Sequence, residues 1–206
     1  MVLSCIFAIP LRCILWQKCN LKTTVYRGVS RIHRMDIEKA KREVDWIRAS
    51  EVLVRVVERL NSLGRPLWSE DQVSVAGLRQ SYQLDELHFL VRPSCVGVVF
   101  LQEADPLFWP EALKADSLYV HKLAIDPSLA GAGLGPLAIE AVTREADRRG
   151  FSWVRLDCDD RPELHRFYQS CGFELVDIKE IGVYQVARYQ LLTNTGMRRQ
   201  KAARLL

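Results

Sequence analysis

Leu123-Ala124-Ile125-Asp126-Pro127-Ser128-Leu129-Ala130-Gly131-Ala132-Gly133-Leu134-Gly135-Pro136 reads as an apolar strand that stops at Asp126-Pro127, a loop of small residues, and a helix with Pro136 at its first position. Strand, glycine loop and helix start together hold a phosphate. Glycine leaves backbone N–H groups uncovered, and the helix N-terminus carries about half a positive charge. Roughly thirty residues later, Phe167-Tyr168-Gln169-Ser170-Cys171-Gly172-Phe173 reads as the end of a short helix stopped by glycine.

Working outward, Pro136–Arg149 is predicted as a helix, with Arg148 and Arg149 in its last turn and Gly150 just beyond. Leu118–Ile125 and Ser152–Cys158 are strands on either side of it, so strand, helix and strand form a right-handed parallel crossover. Pro162–Cys171 is the short helix, with the apolar stripe Leu164, Phe167, Tyr168 and Cys171. Phe173–Ile178 and Val183–Leu192 are two final strands.

Upstream, Glu86–Arg92 and Cys95–Gln102 form a hairpin around a Pro-Ser turn, and Glu103–Asp116 is a loop containing Phe108-Trp109-Pro110. Glu43–Leu63 is an amphipathic helix with Val44, Ile47, Val52, Val56, Leu60 and Leu63 at helical spacing, stopped by Gly64-Arg65-Pro66. Ser69 caps a second helix, with Gln72 completing a capping box. Asp36-Ile37-Glu38-Lys39-Ala40 is a short first strand. In the rival reading one helix runs from Asp36 to Leu63 and Thr24–Ile32 is the first strand. The fold class is α/β (α+β): a mixed, mostly antiparallel sheet flanked by helices, with one parallel strand-helix-strand crossover.

The chain has 206 residues, 49% hydrophobic and 26% charged, enough apolar material for a packed core. Its net charge is +4, but residues 1–34 hold six basic and no acidic residues, and residues 193–206 hold four basic ones, so 35–192 carries −6. The basic character lies in the ends, which argues against nucleic acid and suits a cationic substrate better. Three segments follow: a basic, acid-free leader over 1–34, a domain over 35–192, and a basic C-terminal tail over 193–206. The leader reads as dispensable, as an ordered part of the fold, or as a targeting signal.

Six cysteines (Cys5, Cys13, Cys19, Cys95, Cys158 and Cys171) form no CxxC pair and the histidines are scattered, so no zinc site is expected. Cys95, Cys158 and Cys171 read as buried free thiols. No apolar run reaches the roughly 18 residues that span a membrane, and a cytoplasmic protein without membrane partners is expected.

The order of these elements over roughly Met35–Leu192 resembles the GNAT superfamily of acyl-CoA-dependent N-acetyltransferases. Gly133 and Gly135 occupy the glycine positions of that family's pyrophosphate loop, Arg/Gln-x-x-Gly-x-Gly/Ala. Phe167-Tyr168 followed by Gly172-Phe173 matches its second motif. The sequence departs from the pattern where the loop carries Ala130 and Ala132 in place of cationic or amide side chains, and Pro136 removes one more N–H. Phosphate holding therefore falls to the backbone of Gly131, Ala132, Gly133, Leu134 and Gly135, with Leu137 and Ala138.

The resemblance implies acetyl-CoA as co-substrate, no metal, and an amine acceptor that is a small molecule or a protein; a homodimer is possible. It implies that Leu123, Ala124 and Ile125 pair with the pantetheine arm and that a backbone N–H there polarises the thioester carbonyl. Asp160 and Phe167 lie near the cofactor, although capping a helix would equally explain Asp160.

Tyr168 is the candidate general acid, because a phenol of pKa about 10 stays protonated at neutral pH; it also fits as a core tyrosine. An alkyl ammonium must lose a proton, and His121 titrates in a suitable range. Tyr119, His121 and Leu123 share a strand face by alternation. Asp157 and water chains remain open as the base. Trp68 and Trp109 line an acceptor pocket or pack a loop, and Lys122 and His165 read as solvated. The competing function is an acyl-CoA-binding sensor with little turnover.

Overall fold

A computed structural model of the protein describes residues 34–112, 116–182 and 184–205. Its centre is a seven-stranded sheet in the order β1-β2-β3-β4-β5-β7-β6. The strands are β1 (Asp36–Lys39), β2 (Leu87–Val91), β3 (Cys95–Gln102), β4 (Ser117–Ile125), β5 (Trp153–Asp159), β6 (Glu174–Ile181) and β7 (Tyr184–Leu192). Every neighbouring pair is antiparallel except β4 and β5. The helices are α1 (Val44–Ser62), α2 (Glu70–Val73), α3 (Val75–Ser81), α4 (Leu134–Arg149), α5 (Pro162–Ser170) and α6 (Asn194–Ala203). The mixed sheet with one parallel crossover is as the sequence suggested.

The first strand starts at Asp36 and pairs with β2 from Val91 to His88, so no helix begins there. Thr24–Ile32, with Cys5, Cys13, Cys19 and most of the leader, lies outside the described residues. The amphipathic helix is present, with Val52, Val56 and Leu60 buried as expected, and its apolar stripe also takes in Trp46, Ala49, Leu53 and Val57. Val44, Ile47 and Leu63, which the spacing placed on that stripe, are exposed. Trp46 offers more apolar area than Ile47 and sets the helix's rotation, since burying a large side chain stabilises by roughly 1.5–3 kcal/mol.

Ser69 caps α2 and forms the capping box with Gln72. Ser74 then interrupts the helix and caps α3 in turn. Residues 193–206, read as a tail, carry α6. Its cap Thr193 is fully buried, Thr195 N donates to Asp147 Oδ1 at 2.8 Å, and Arg199 donates to Ser152 Oγ at 2.9 Å. Cys158 is buried and Cys171 half-buried, but Cys95 is exposed because it sits at the hairpin turn. Among the described residues no helix is long and apolar enough to cross a membrane.

Candidate active site

The site grows out of the central strand. β4 is buried along its whole length, yet it pairs with β5 only at Ser117↔Trp153, Leu118↔Val154 and Tyr119↔Arg155. Beyond Tyr119 the two strands part. The other edge of β4 carries a bulge: Phe100 opposes His121 while Val98 opposes Ala124, so the chain fits one extra residue. Lys122 absorbs it at φ 45°, the one non-glycine residue with positive φ among those described, at a cost of about 1–2 kcal/mol. Bulges re-aim side chains and sit beside active sites.

This bulge overturns the alternation expected from the sequence. Phe100 and Val98 share a face of β3, so Ala124, not Leu123, lies on the His121 face, and Leu123 and Ile125 are turned to the other. Gly97 fits against the bulged strand because it lacks a side chain: a Cβ there would lie 2.2 Å from Ala124 O.

The glycine loop follows directly. Asp126 accepts from Ser128 N at 3.0 Å and pairs with Arg55 of α1 at 2.7 Å, which ties the loop entry to the helix layer. Gly131 and Gly133 have φ of 86° and 68°, and a side chain at Gly133 would meet nothing within 4 Å. Gly133 is the N-cap of α4, which begins at Leu134. Pro136 is therefore the third helical residue, two positions later than predicted. It is tolerated there because the first N–H groups of a helix have no intrahelical partner.

The same shift moves Leu137 and Ala138 into the helix's own hydrogen-bond ladder. The Ala132 N–H is already donated to Leu129 O at 3.2 Å, and Ala130 N to Pro127 O at 3.1 Å. Among the described residues the loop offers no such backbone partner to the amides of Gly131, Gly133, Leu134 and Gly135.

The two faces of the sheet around β5 differ in what they carry. Leu156 opposes Tyr189 and Asp157 opposes Arg188 in the β5–β7 ladder, so Tyr189 and Asp157 lie on opposite faces. Tyr168 of α5 packs on the Tyr189 face, with ring centroids 5.3 Å apart, and makes edge contacts with Phe167 and Phe173. Tyr168 is fully buried. Beside it Asp160 Oδ1 lies 2.6 Å from His165 Nε2, and His165 Nδ1 meets the Tyr189 hydroxyl. The cap of α5 is Arg161, not Asp160. His165 is thus engaged on both ring nitrogens, contrary to its reading as a solvated residue.

The opposite face gathers a buried polar group. His121, on β4, and Asp157, on β5, are the first same-face pair past the end of the ladder. Asp105, from the loop after β3, joins them, and the three ligand atoms lie within 4.8 Å of one another. Asp105 Oδ2 is 3.7 Å from His121 Nε2, and both side chains are 6% exposed. The other carboxylate oxygen of Asp105 accepts from Phe108 N at 3.1 Å.

Burial, reinforced by the Lys122 charge, pushes the His121 imidazole down to about 3, and burial raises the Asp105 carboxyl. Lys122 is fully buried with its ammonium 4.5 Å from the Trp68 ring centroid, not solvated as expected. Trp109 is buried between the guanidinium groups of Arg155 and Arg188, at 4.9 and 4.4 Å. Arg188 donates to Phe108 O at 2.7 Å and to Asp177 and Glu111, locking this loop against β6 and β7. Sequence reasoning missed Asp105 and Arg188. Asp105 stands in a loop with no periodicity, and its only signal is the neighbouring Phe108-Trp109-Pro110 cluster.

The sequence profile described as the Acetyltransferase (GNAT) family matches residues 54–173, more than half of the chain and every element of this site up to Phe173. The uncharacterized N-acetyltransferase YesJ of Bacillus subtilis (strain 168) is 27% identical over 146 residues, which cover 65% of this chain and 78% of YesJ. A GNAT-family acetyltransferase from Listeria monocytogenes 4b F2365 shares the fold with a TM-score of 0.63 at 18% identity, covering 77% of this chain and 94% of its own. The aminoglycoside acetyltransferase AAC(6')-Ib, solved with coenzyme A and kanamycin, has a TM-score of 0.58 at 16% identity, over 81% of this chain and 99% of its own.

Proposed function

Because the chain belongs to the GNAT acetyltransferase family, we propose that it moves an acetyl group from acetyl-CoA to a primary amine, carried by a small molecule or a protein. The observation that carries this reading is the parting of β4 from β5 with the glycine loop at its end. The pantetheine arm lies along the opened edge of β4 at Leu123, Ala124 and Ile125. The pyrophosphate rests on the amides of Gly131, Gly133, Leu134 and Gly135, against the positive end of α4. Asp160 and Phe167 flank the arm.

A backbone N–H of β4 polarises the carbonyl. The amine gives its proton to His121, its lone pair forms the new C–N bond, and the C–S bond breaks. Tyr168, on the far face of the sheet from His121, gives its proton to the departing sulfur. With acid and base on opposite faces, the amine enters from one side and the thiol leaves on the other. His121 holds no proton of its own at neutral pH; burial makes its protonated form costly, and the carboxylates of Asp105 and Asp157 beside it offset that cost when it takes the amine's proton.

Ala130 and Ala132, which bring no cation to the loop, favour the second reading, an acyl-CoA sensor with little turnover. Thiol release from acetyl-CoA in the presence of a panel of primary amines separates the two. Amine-dependent release establishes transfer, and tight cofactor binding with no release establishes the sensor.

A further inference from the structure

The sheet has two outer strands, and they are protected unequally. β1 is four residues long, and three of the four are charged. Short, charged edges resist pairing with another chain. β6 is eight residues long and lies at the other end of the strand order. Leu175, Val176 and Ile178 on it are exposed. Among the described residues no other run of four holds three exposed large apolar side chains. The outer side of β6 also presents a row of N–H and C=O groups with no neighbouring strand among the described residues.

The ladder with β7 fixes which side chains share a face. Val176 is the extra residue at the register shift between Leu175 and Asp177, so the regular run is 177–181. Ile178 opposes Ala187 and Leu175 opposes Tyr189, which puts these two apolar side chains on one face. Asp177 opposes Arg188 and Lys179 opposes Val186, which puts the two charges on the other.

A second copy of β6 laid antiparallel along this edge is related to the first by a two-fold axis perpendicular to the sheet. That operation keeps every residue on its own face, and residues that oppose each other must share a face. One residue therefore opposes itself. Centring on Asp177, Lys179 or Glu180 sets a like charge against itself. Centring on Ile181 runs the pairing past the turn at Gly182. Centring on Ile178 packs isoleucine on isoleucine and sets Asp177 opposite Lys179 twice, once from each copy. Opposite charges that face each other across strands stabilise the pair, and like charges destabilise it. Asp177 is held by Arg188 and Lys179 lies 3.4 Å from Glu111, yet each side chain is still 36% exposed, so each has room for a second partner.

We propose that the outer edge of β6 is the contact between two copies of this chain, paired antiparallel about Ile178 into one continuous sheet. Ile178 of both copies meets on one face, with Leu175 at either end, and the Asp177–Lys179 pairs close the other. The contact uses neither the glycine loop nor the parting of β4 and β5, so it goes beyond acetyl transfer.

Sedimentation velocity on the full chain, without acyl donor or acceptor, reads the mass across the micromolar range. The wild type is expected to pass from monomer to dimer. Ile178→Lys and Ile178→Glu should each weaken the dimer by about tenfold or more, because each places a charge against its own copy. Mixed in equal amounts they should dimerise again, the lysine of one against the glutamate of the other. That recovery requires residue 178 to face itself, a property that no other register shares. Lys179→Glu should also weaken the dimer, since it sets two acids opposite each other.

The proposal is overturned if the wild type stays monomeric throughout that range, if the single variants dimerise as the wild type does, or if the mixture is no more dimeric than either variant alone. Should the Ile178 variants unfold, Lys179→Glu decides in their place, and an unweakened dimer overturns the proposal. Thiol release plays no part in these readings. Failure of the dimer leaves the transferase reading standing, and failure of amine-dependent thiol release leaves the dimer.

Discussion

The glycine loop and the parting of β4 and β5 are consecutive in the chain and opposite in kind. The loop works with backbone. Its side chains are small, Gly133 projects into open space, and one ion pair from Arg55 ties it to α1. In the proposed function the parting works with buried side chains delivered by separate elements: His121 from β4, Asp157 from β5, Asp105 from a loop and Tyr168 from α5. A change in the loop should therefore be read out in one quantity, cofactor affinity. A change at the parting should reach catalysis, acid stability and acceptor binding together, because its groups share one low-dielectric space.

Tyr168→Phe gives the largest expected effect on the parting side. It removes a hydroxyl and keeps the ring against Phe167, Phe173 and Tyr189. Lost acid catalysis should lower kcat by about 10²–10⁴-fold, with cofactor affinity and melting temperature nearly unchanged. The loss should shrink with an acyl donor whose thiol has a lower pKa. An unchanged kcat, with chemistry rate-limiting, removes Tyr168 from the mechanism.

Gly133→Asp addresses the loop. Aspartate tolerates the left-handed conformation better than most residues, and the site has room for it, so the fold should survive. A carboxylate facing a pyrophosphate should weaken acetyl-CoA binding by about a hundredfold, since charged hydrogen bonds are replaced by repulsion. Titration calorimetry checks it, and equal affinities would show that the pyrophosphate lies elsewhere.

Acid stability sharpens the contrast. His121 is held down to about 3 and His88 to about 4, both chiefly by burial, against about 6.5 in the unfolded chain. Below pH 6.5 the unfolded chain thus binds more protons than the folded one. Stability should fall as pH drops from 6.5 toward 4. Melting temperatures between pH 7.5 and 5 should show that slope; His121→Gln should flatten it, while Gly133→Asp should leave it unchanged. A level profile would refute the burial of both imidazoles.

The smallest effect is expected from Ala132→Arg. It returns a cation to an exposed position of the loop and should tighten acetyl-CoA binding by about two- to fivefold, the scale of a single screened surface charge. No tightening would mean that this position is not aimed at phosphate.

The two regions were also unequally legible. Loop and helix start are written in contiguous residues, and the order of strands could be read from hydrophobic runs and turn residues. Pro136 was misplaced by two positions because Gly133 takes the cap in a conformation that no side chain announces. The face assignment of Leu123 failed for a similar reason: a bulge costs one residue of register and leaves no mark in composition. Asp105 and Arg188 were invisible because each matters only through partners far away in sequence. Lys122 and His165 read as solvated charges in the sequence, and only the fold brings Trp68, Asp160 and Tyr189 around them.

The strand order β5-β7-β6 has a consequence for synthesis on the ribosome. β7 is the last strand made, yet it sits inside the sheet and delivers Arg188 to a loop carbonyl at Phe108, 80 residues earlier. At about 5–20 residues per second that partner emerges roughly 4–16 s after the loop does. Until then the edge of β5 has no neighbour, Tyr168 has no Tyr189 to pack on, and Trp109 lacks one of its two guanidinium partners. The buried interior at the parting therefore closes late. A nascent chain stalled before residue 184 would carry the whole glycine loop and a sheet still open at β5.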